Sequence, residues 1–344
     1  MKAGRRETES PLVTVLMPVH NGARYLAAAI ESVLDQTIAD FELLVIDDGS
    51  TDESAALVQR HADPRIRLEH NDRNLGVVAT LNRGLCLARG EFIARMDSDD
   101  IALPTRLARQ VGFLVAHPDV VACGAWMRSF GGVIEHTWMA PAGHEEITAR
   151  LLFESCLFHP TVMMRAATLR QWEIGYDESF RYAEDYELWT RLAALGRLAN
   201  LDEILLHYRL HDSNVGQLHQ SAQCASANLI RARQLARLGM APSSCELEIH
   251  EALSRWQAGP EISFLDKAQS WLEALIKANA RAGWCDDEAL RREAGARFFH
   301  ACGLLSGAGL GAYRRFRNSR FAADARPSQF ARWEFLGRCL LKLR

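Results

Sequence analysis

Long apolar runs are missing from this 344-residue sequence. A helix that spans a bilayer needs about 20 consecutive apolar residues, and the most apolar late stretch, Ala301–Ala312, is shorter and rich in glycine. The opening MKAGRRETES is polar and leads into Leu12–Val19, which Pro18 interrupts, so neither a signal peptide nor an anchor is expected. Cysteine occurs eight times (Cys86, Cys123, Cys156, Cys224, Cys245, Cys285, Cys302 and Cys339) but never as a C-x-x-C pair. No zinc framework can be drawn from that spacing, and reduced, buried thiols of a cytoplasmic protein are expected. G-x-x-x-x-G-K-[ST], G-x-G-x-x-G and G-x-S-x-G are all absent, which leaves P-loop, dinucleotide and nucleophile-elbow chemistry without support. Charge of one sign is scarce too: the formal net charge is −3. A protein that neutralises phosphates over its whole surface would be far more basic, so no nucleic-acid partner is expected.

What is there is an ordinary globular balance. Hydrophobic residues make up 48% and charged residues 24%, enough apolar material for a sizeable core and too much for wholesale disorder. The length leaves room for two domains. Charge is unevenly spread. Arg297–Arg344 holds ten basic residues against two acidic, a local +8, so the preceding 296 residues carry −11.

Apolar periodicity organises the first half of the chain. Leu12–Pro18, Phe41–Asp47, Arg65–His70 and Glu91–Met96 read as strands, and Ala23–Gln36, Asp52–His61, Gly76–Ala88 and Pro104–His117 as the helices between and after them. Four such units predict a parallel sheet with right-handed crossovers, which binds ligands at the carboxyl ends of its strands. Those ends are polar: Pro18-Val19-His20-Asn21, Asp47-Asp48-Gly49-Ser50-Thr51-Asp52, Asn71-Asp72-Arg73-Asn74 and Asp97-Ser98-Asp99-Asp100. Shorter strands are expected at Val120–Cys123, after Phe158–Thr161 and at Ile204–Arg209, with helices near Glu145–Glu154 and over Glu184–Leu195. Beyond about Gly216 only helix is expected. The boundary is placed at 214/215, giving an α/β domain over 12–214 and an all-helical region over 215–344, basic from about 297.

Each motif has a local and a chemical reading. Asp97 and Asp99 follow a strand and are able to hold a divalent ion, because magnesium and manganese prefer oxygen ligands shared with phosphates; locally they would only cap the next helix. Ser50 and Glu53 fit a capping box and Gly49 a turn, but that leaves the adjacent Asp47 and Asp48 unexplained, and an aspartate there is able to accept a hydrogen bond from a uracil ring N–H. Glu184 and Asp185 open an amphipathic helix. Acids suit that place as dipole partners, and one of them would equally serve as a general base. His207 and His211 would share a face only on a helix, so a zinc pair is not expected in this extended segment. His159-Pro160 reads as scaffold beside the same cleft.

In order, Val13–Asn21 (VTVLMPVHN), Leu44–Asp52 (LVIDDGSTD), Asn74-Leu75-Gly76, Asn82-Arg83-Gly84, Glu91–Asp100 (EFIARMDSDD), Phe158–Thr161, Ala183–Trp189 and His207–Asn214 (HYRLHDSN) resemble the family-two glycosyltransferases of the GT-A fold. The resemblance covers residues 12–214. It implies that Pro18, Val19, His20, Asn21, Asp47 and Asp48 surround a nucleotide and that Asn74 closes over it. Asp97, Ser98 and Asp99 would meet the ribose-diphosphate and a Mn²⁺ or Mg²⁺ ion, with Asp99 the more direct ligand and His211 close to the metal or diphosphate. Asp185 would be the catalytic base, preceded by Glu184. The Q-x-x-R-W motif of processive synthases is missing: Trp256 follows Arg255, but residue 252 is Ala.

The implied activity is inverting, metal-dependent transfer of a sugar from a nucleotide-diphosphate donor, UDP-linked, to a hydroxyl of a glycan or lipid-linked acceptor. A sugar-phosphate nucleotidyltransferase would need a glycine-rich basic loop after the first strand, where His20-Asn21-Gly22-Ala23-Arg24 offers one glycine. A non-catalytic nucleotide-sugar-binding protein would not need both metal acids and a base candidate. In the tail, Pro327 is placed to start a final helix with Phe330, Trp333, Leu336 and Leu340 on one side among arginines. That side would meet either the surface of an anionic membrane, on its cytoplasmic face, or the acidic catalytic domain.

Overall fold

The computed structural model describes residues 10–212 and 219–343. The boundary at 214/215, Ser213 and Asn214 of the last motif, the expected helical onset at Gly216 and the terminal Arg344 lie outside the described residues. Two compact units are present, Met1–Gly143 with Leu157–Ser226 and His144–Cys156 with Ala227–Arg344.

In the first unit, β1 (Val13–Val19), α1 (Ala23–Leu34), β2 (Phe41–Asp47), α2 (Ser54–Arg60), β3 (Ile66–His70), α3 (Val77–Leu87) and β4 (Phe92–Arg95) alternate. These strands pair in parallel in the order β3-β2-β1-β4. Every residue of β2 is buried, the near-continuous apolar run of a strand covered on both faces. Glu42 inside it is met by the Thr14 hydroxyl at 2.7 Å, the Arg89 amide at 2.9 Å and Arg67 at 3.1 Å. Helix α1 turns Leu26, Ala29, Ile30 and Val33 inward, the spacing of one helical face.

The remaining elements of the unit are β5 (Ile101–Ala102), α4 (Arg106–Ala116), β6 (Val120–Phe130), β7 (Thr137–Trp138), β8 (Met163–Arg165), α6 (Ala166–Gln171), α7 (Glu184–Leu192) and β9 (Arg197–Arg209), with α5 (His144–Arg150) in the other unit. They extend the sheet to β3-β2-β1-β4-β8-β6-β9-β5, with β7 on β6. The sheet is mixed, because β8 runs antiparallel to both β4 and β6. The strands expected at Val120–Cys123 and Ile204–Arg209 are longer than their apolar cores. The pairing of β6 with β9 skips from Leu201 to Ile204, so the polar Asp202 and Glu203 that interrupt the pattern sit in a bulge.

Two local expectations are corrected. The capping box of Ser50 with Glu53 does not form, since α2 starts at Ser54 and Glu53 makes no side-chain cap. Ser50 Oγ instead accepts the Asn21 amide at 2.9 Å, and Asp52 accepts the Ser54 and Ala23 amides. The cysteines are all free thiols, but Cys86 and Cys245 are exposed and Cys224 and Cys285 half-buried. Both exposed thiols lie on outward turns of helices.

The second unit is helical: α5, α8 (Gln220–Arg237, which begins in the first unit), α9 (Ser244–Ser254), α10 (Ser263–Ala282), α11 (Asp287–Leu304), α12 (Leu310–Asn318), α13 (Phe321–Asp324) and α14 (Gln329–Leu341). None of the described helices is long and apolar enough to cross a membrane. Helix α10 buries Leu265, Ala268, Leu272, Leu275 and Asn279 and ends on Gly283 at φ +63°, the left-handed conformation that glycine adopts without strain. Residues 144–156, expected in the first domain, belong here because Leu152 and Phe153 join a core with Leu253, Trp271, Leu290 and Phe298. His250 Nε2 donates to Leu152 O (3.0 Å), Nδ1 accepts the Trp271 indole N–H at 3.1 Å, and burial holds the ring neutral with a pKa lowered to about 3.

Arg297 lies at the centre of this unit, fully buried. It donates to Glu293 (2.7 Å), Glu154 (2.6 Å) and the carbonyls of Leu253 and Ser254, and its guanidinium sits over Phe153 and Trp256. Removing one partner of a buried network strands the other charges. Arg297→Met should therefore cost about 3–5 kcal/mol of stability, read as a lower urea midpoint; a loss below about 1 kcal/mol, the worth of an exposed pair, would contradict this role.

Candidate active site

The carboxyl ends of β1, β2, β3 and β4 converge on one rim. After β1, Asn21 takes a left-handed conformation, φ +51°, which asparagine tolerates. Its amide donates to Ser50 Oγ and its side-chain oxygen accepts the Thr51 amide at 2.8 Å. His20 Nδ1 bonds Asp48 O at 2.9 Å. These contacts lock the β1 turn onto the β2 turn. Gly49 sits at φ +65°, and a Cβ there would lie 2.5 Å from the Arg73 carbonyl carbon, so only glycine lets the two loops approach.

Asp47 and Asp48 are both buried and face different partners. Asp47 accepts the Ser50 amide at 3.1 Å and bonds His70 at 3.2 Å. Asp48 accepts Asn71 Nδ2 (2.7 Å), the Leu75 amide (2.8 Å) and the Gly76 amide (2.9 Å). The Asn74–Gly76 loop is thus folded around the Asp48 carboxylate, with Asn74 Oδ1 also accepting the Gly76 amide.

After β4, oxygens of Asp97, Asp99 and Asp100 lie within 4.8 Å of one another. Asp97 is paired with Arg95 at 2.5 Å; burial raises its pKa, with Arg95 pulling the other way and Asp99 adding to the rise. Asp99 Oδ2 meets His211 Nε2 at 2.8 Å, and His211 stacks on Tyr25. Asp100 accepts the Arg209 amide on Oδ1, while its buried Oδ2 has no partner among the described residues. Burial, then Asp97 and Asp99, push it well above the ordinary carboxylate range. These acids cap no helix: α4 begins at Arg106 behind Thr105. An all-oxygen donor set with an orphaned buried carboxylate oxygen fits a hard divalent cation such as Mg²⁺ or Mn²⁺.

Beside this cluster opens a cleft of about 680 Å³, within the usual size of a small-molecule site. Pro18, Val19, His20, Asp48, Asn74, Asp97 and Glu184 line it, together with Leu75–Thr80, Glu178, Arg181, Tyr182 and His219. Asn21, Asp47, Ser98, Asp99, Asp185 and His211 are not on its wall: Asn21 and Asp47 brace the loops behind it, and Asp99 and His211 form their own pair at the carboxylate cluster. His159 is likewise off the wall, bonded to Tyr176 Oη at 2.8 Å and kept neutral by burial and by Arg95.

Glu184 and Asp185 occupy the first turn of α7. Glu184 is buried and lines the cleft, its Oε2 has no partner among the described residues, and burial raises its pKa. Asp185 is half-buried; desolvation, and then Glu184, raise its pKa to about 7, against the pull of the Tyr186 amide and Arg95. A carboxyl that titrates there is suited to proton transfer near neutrality.

Sequence reasoning missed Arg95, Tyr182 and His219. Arg95 ends a buried strand and exerts its field on Asp97, Asp100, Glu184 and Asp185 at once. A charged residue in the apolar run EFIARM, two before Asp97, was the signal: buried charge demands a partner. Tyr182 holds φ +66° and stacks on His219 with centroids 4.3 Å apart and planes 7° from parallel. No local pattern announces a contact between those two residues.

Residues 14–169 match the family model described as Glycosyl transferase family 2. An uncharacterized glycosyltransferase of Haemophilus influenzae is 32% identical over 278 residues, 77% of this chain and 84% of its own. The Escherichia coli protein named UDP-Glc:alpha-D-GlcNAc-diphosphoundecaprenol beta-1,3-glucosyltransferase WfgD is 31% identical over 206 residues, 59% of this chain and 79% of its own. Among solved structures, S. aureus TarS bound to UDP-GlcNAc covers 89% of both chains with a TM-score of 0.56 at 19% identity, a likeness of fold. The mixed sheet with flanking helices is accordingly of the GT-A type. By sequence the chain belongs to glycosyl transferase family 2, and it is a glycosyltransferase.

Proposed function

We propose that the chain is an inverting, divalent-metal-dependent transferase that moves a sugar from a UDP-linked donor to a hydroxyl of a glycan or lipid-linked acceptor. The observation that carries this reading is the Asp97–Asp99–Asp100 cluster, with its orphaned Asp100 Oδ2, beside a cleft that Glu184 and Asp48 line. A UDP-linked donor is supported by the UDP-GlcNAc bound to TarS and by the donor in the name of WfgD, and a lipid-linked acceptor by the diphosphoundecaprenol in that name.

In this reading Pro18–Asn21, Asp47, Asp48 and Asn74 hold the nucleoside, Ser98 and Asp97 face the ribose-diphosphate, and Asp99, Asp97 and His211 hold the cation. A divalent ion held by these residues would supply Lewis-acid chemistry, offsetting the charge that develops on the departing diphosphate. Asp185 takes the proton of the acceptor hydroxyl as the new bond forms, with Glu184 beside it. One displacement from the face opposite the leaving group inverts the anomeric centre, and no carboxylate nucleophile is needed, unlike a retaining glycosidase.

Two predictions follow from the roles assigned to these acids. Asp99→Asn should abolish Mn²⁺-dependent UDP binding in calorimetry while the melting curve stays native-like; retained metal-dependent binding would remove Asp99 from the cation site. Asp185→Asn should still bind donor but transfer at least about a hundredfold more slowly, the low end of general-base contributions. A base acts only when deprotonated, so with a pKa raised to about 7 the parent's rate should fall as pH drops through that value. The residual activity of the Asn variant should lack this acid limb. An unchanged pH profile would return Asp185 to the role of a helix-dipole partner.

A further inference from the structure

Helix α14 was expected to turn Phe330, Trp333, Leu336 and Leu340 toward one partner. It forms, capped by Ser328, but a different face docks. Phe335 and Cys339 are buried, Phe335 packing edge-on against Phe299 with centroids 5.5 Å apart and against Phe316 of α12. Phe330 is left 77% exposed, Trp333 70%, Leu340 60% and Leu341 71%. At 3.6 residues per turn these four fall on one arc, opposite the docked face. A helix apolar on two sides is normally covered on both, and large exposed apolar patches mark contact sites.

The C-terminal stretch that carries this arc is basic. Arg332 is exposed on α14, and Arg314, Arg317 and Arg320 are exposed on α12 and just after it. None of these four forms an ion pair among the described residues, whereas Arg315 and Arg326 are paired with Asp266 and Glu288. Glu334 is the one acid of α14. The charge of Arg297–Arg344 is opposite in sign to that of the rest of the chain.

We infer that the outer face of α14 is a docking surface for an anionic phospholipid bilayer, with Phe330, Trp333, Leu340 and Leu341 entering the interface and the unpaired arginines meeting the headgroups. Exposed aromatic and leucine side chains on a strongly basic segment are what such an interface accepts. A neutral protein partner would give the unpaired arginines nothing to meet. The inference stands apart from the transfer reaction, and its test needs no donor.

Full-length protein is floated with vesicles of phosphatidylglycerol and phosphatidylcholine, and with phosphatidylcholine alone. It should float with the anionic vesicles at low salt and stay at the bottom with neutral vesicles or when salt screens the headgroups. The double variant Trp333→Glu/Leu340→Glu, whose positions are exposed, should melt like the parent yet lose at least about tenfold in vesicle-bound fraction. Arg314→Glu/Arg317→Glu should lower binding by about fivefold or more per residue. Parent protein that stays at the bottom with anionic vesicles, or a Trp333/Leu340 variant that floats like the parent, overturns the proposal. So does a parent that is dimeric by light scattering, becomes monomeric in that variant and ignores vesicles, which would assign the face to a second copy.

Discussion

Three carboxylates at the end of β4 share a space in which their oxygens fall within 4.8 Å of one another, and like charges so close repel. The fold holds them there at a cost met from several sides. Arg95 pairs with Asp97, His211 with Asp99, and the Arg209 amide with Asp100, while Arg209 Nε donates to Asp99 O at 2.8 Å. Those partners come from β4, from the end of β9 and from His211 just beyond it, segments far apart in sequence, so the cluster depends on the sheet that joins them. The GT-A sheet is the frame for this crowding.

The same logic extends to the second rim. Asp48 gathers three donors from the loop after β3, and Asp47 is braced by Ser50 and His70. Satisfied buried carboxylates of this kind fix loop positions, since each lost partner leaves a charge in low dielectric. Among the described residues the unsatisfied buried carboxylate oxygens are Asp100 Oδ2 and Glu184 Oε2. Within one unit, then, bonded acids shape the cleft and unbonded oxygens are the ones left for what enters it. Asp100 adjoins Asp97 and Asp99, which hold the cation on the proposed reading, and Glu184 adjoins the proposed base Asp185.

Much of this was legible in the residues. The alternation of short apolar runs with amphipathic segments located β1 to β4 and their helices, most clearly for β1 and β2, buried parallel strands with near-continuous apolar runs, and least for the part-exposed β3. The polar clusters at the strand ends stood out against that background. Other features depend on contacts that no local pattern encodes. Residues 144–156 read like any helix within the first domain, yet Arg150 pairs with Glu293 and Glu154 with Arg297. β8 shows three strand residues whose direction is set only by its neighbours. On α14 the apolar residues are spread so widely around the helix that periodicity favoured Phe330, Trp333, Leu336 and Leu340, whereas the buried residues are Phe335 and Cys339 and Leu336 is half-buried.

Anomalous diffraction at the manganese edge, from crystals grown with UDP and Mn²⁺, addresses the carboxylate cluster most directly. A peak within bonding distance of Asp99 and of the UDP diphosphate is the expected result. UDP occupying the cleft with no manganese peak at Asp97, Asp99 or Asp100 would contradict a metal-dependent transfer built on those acids.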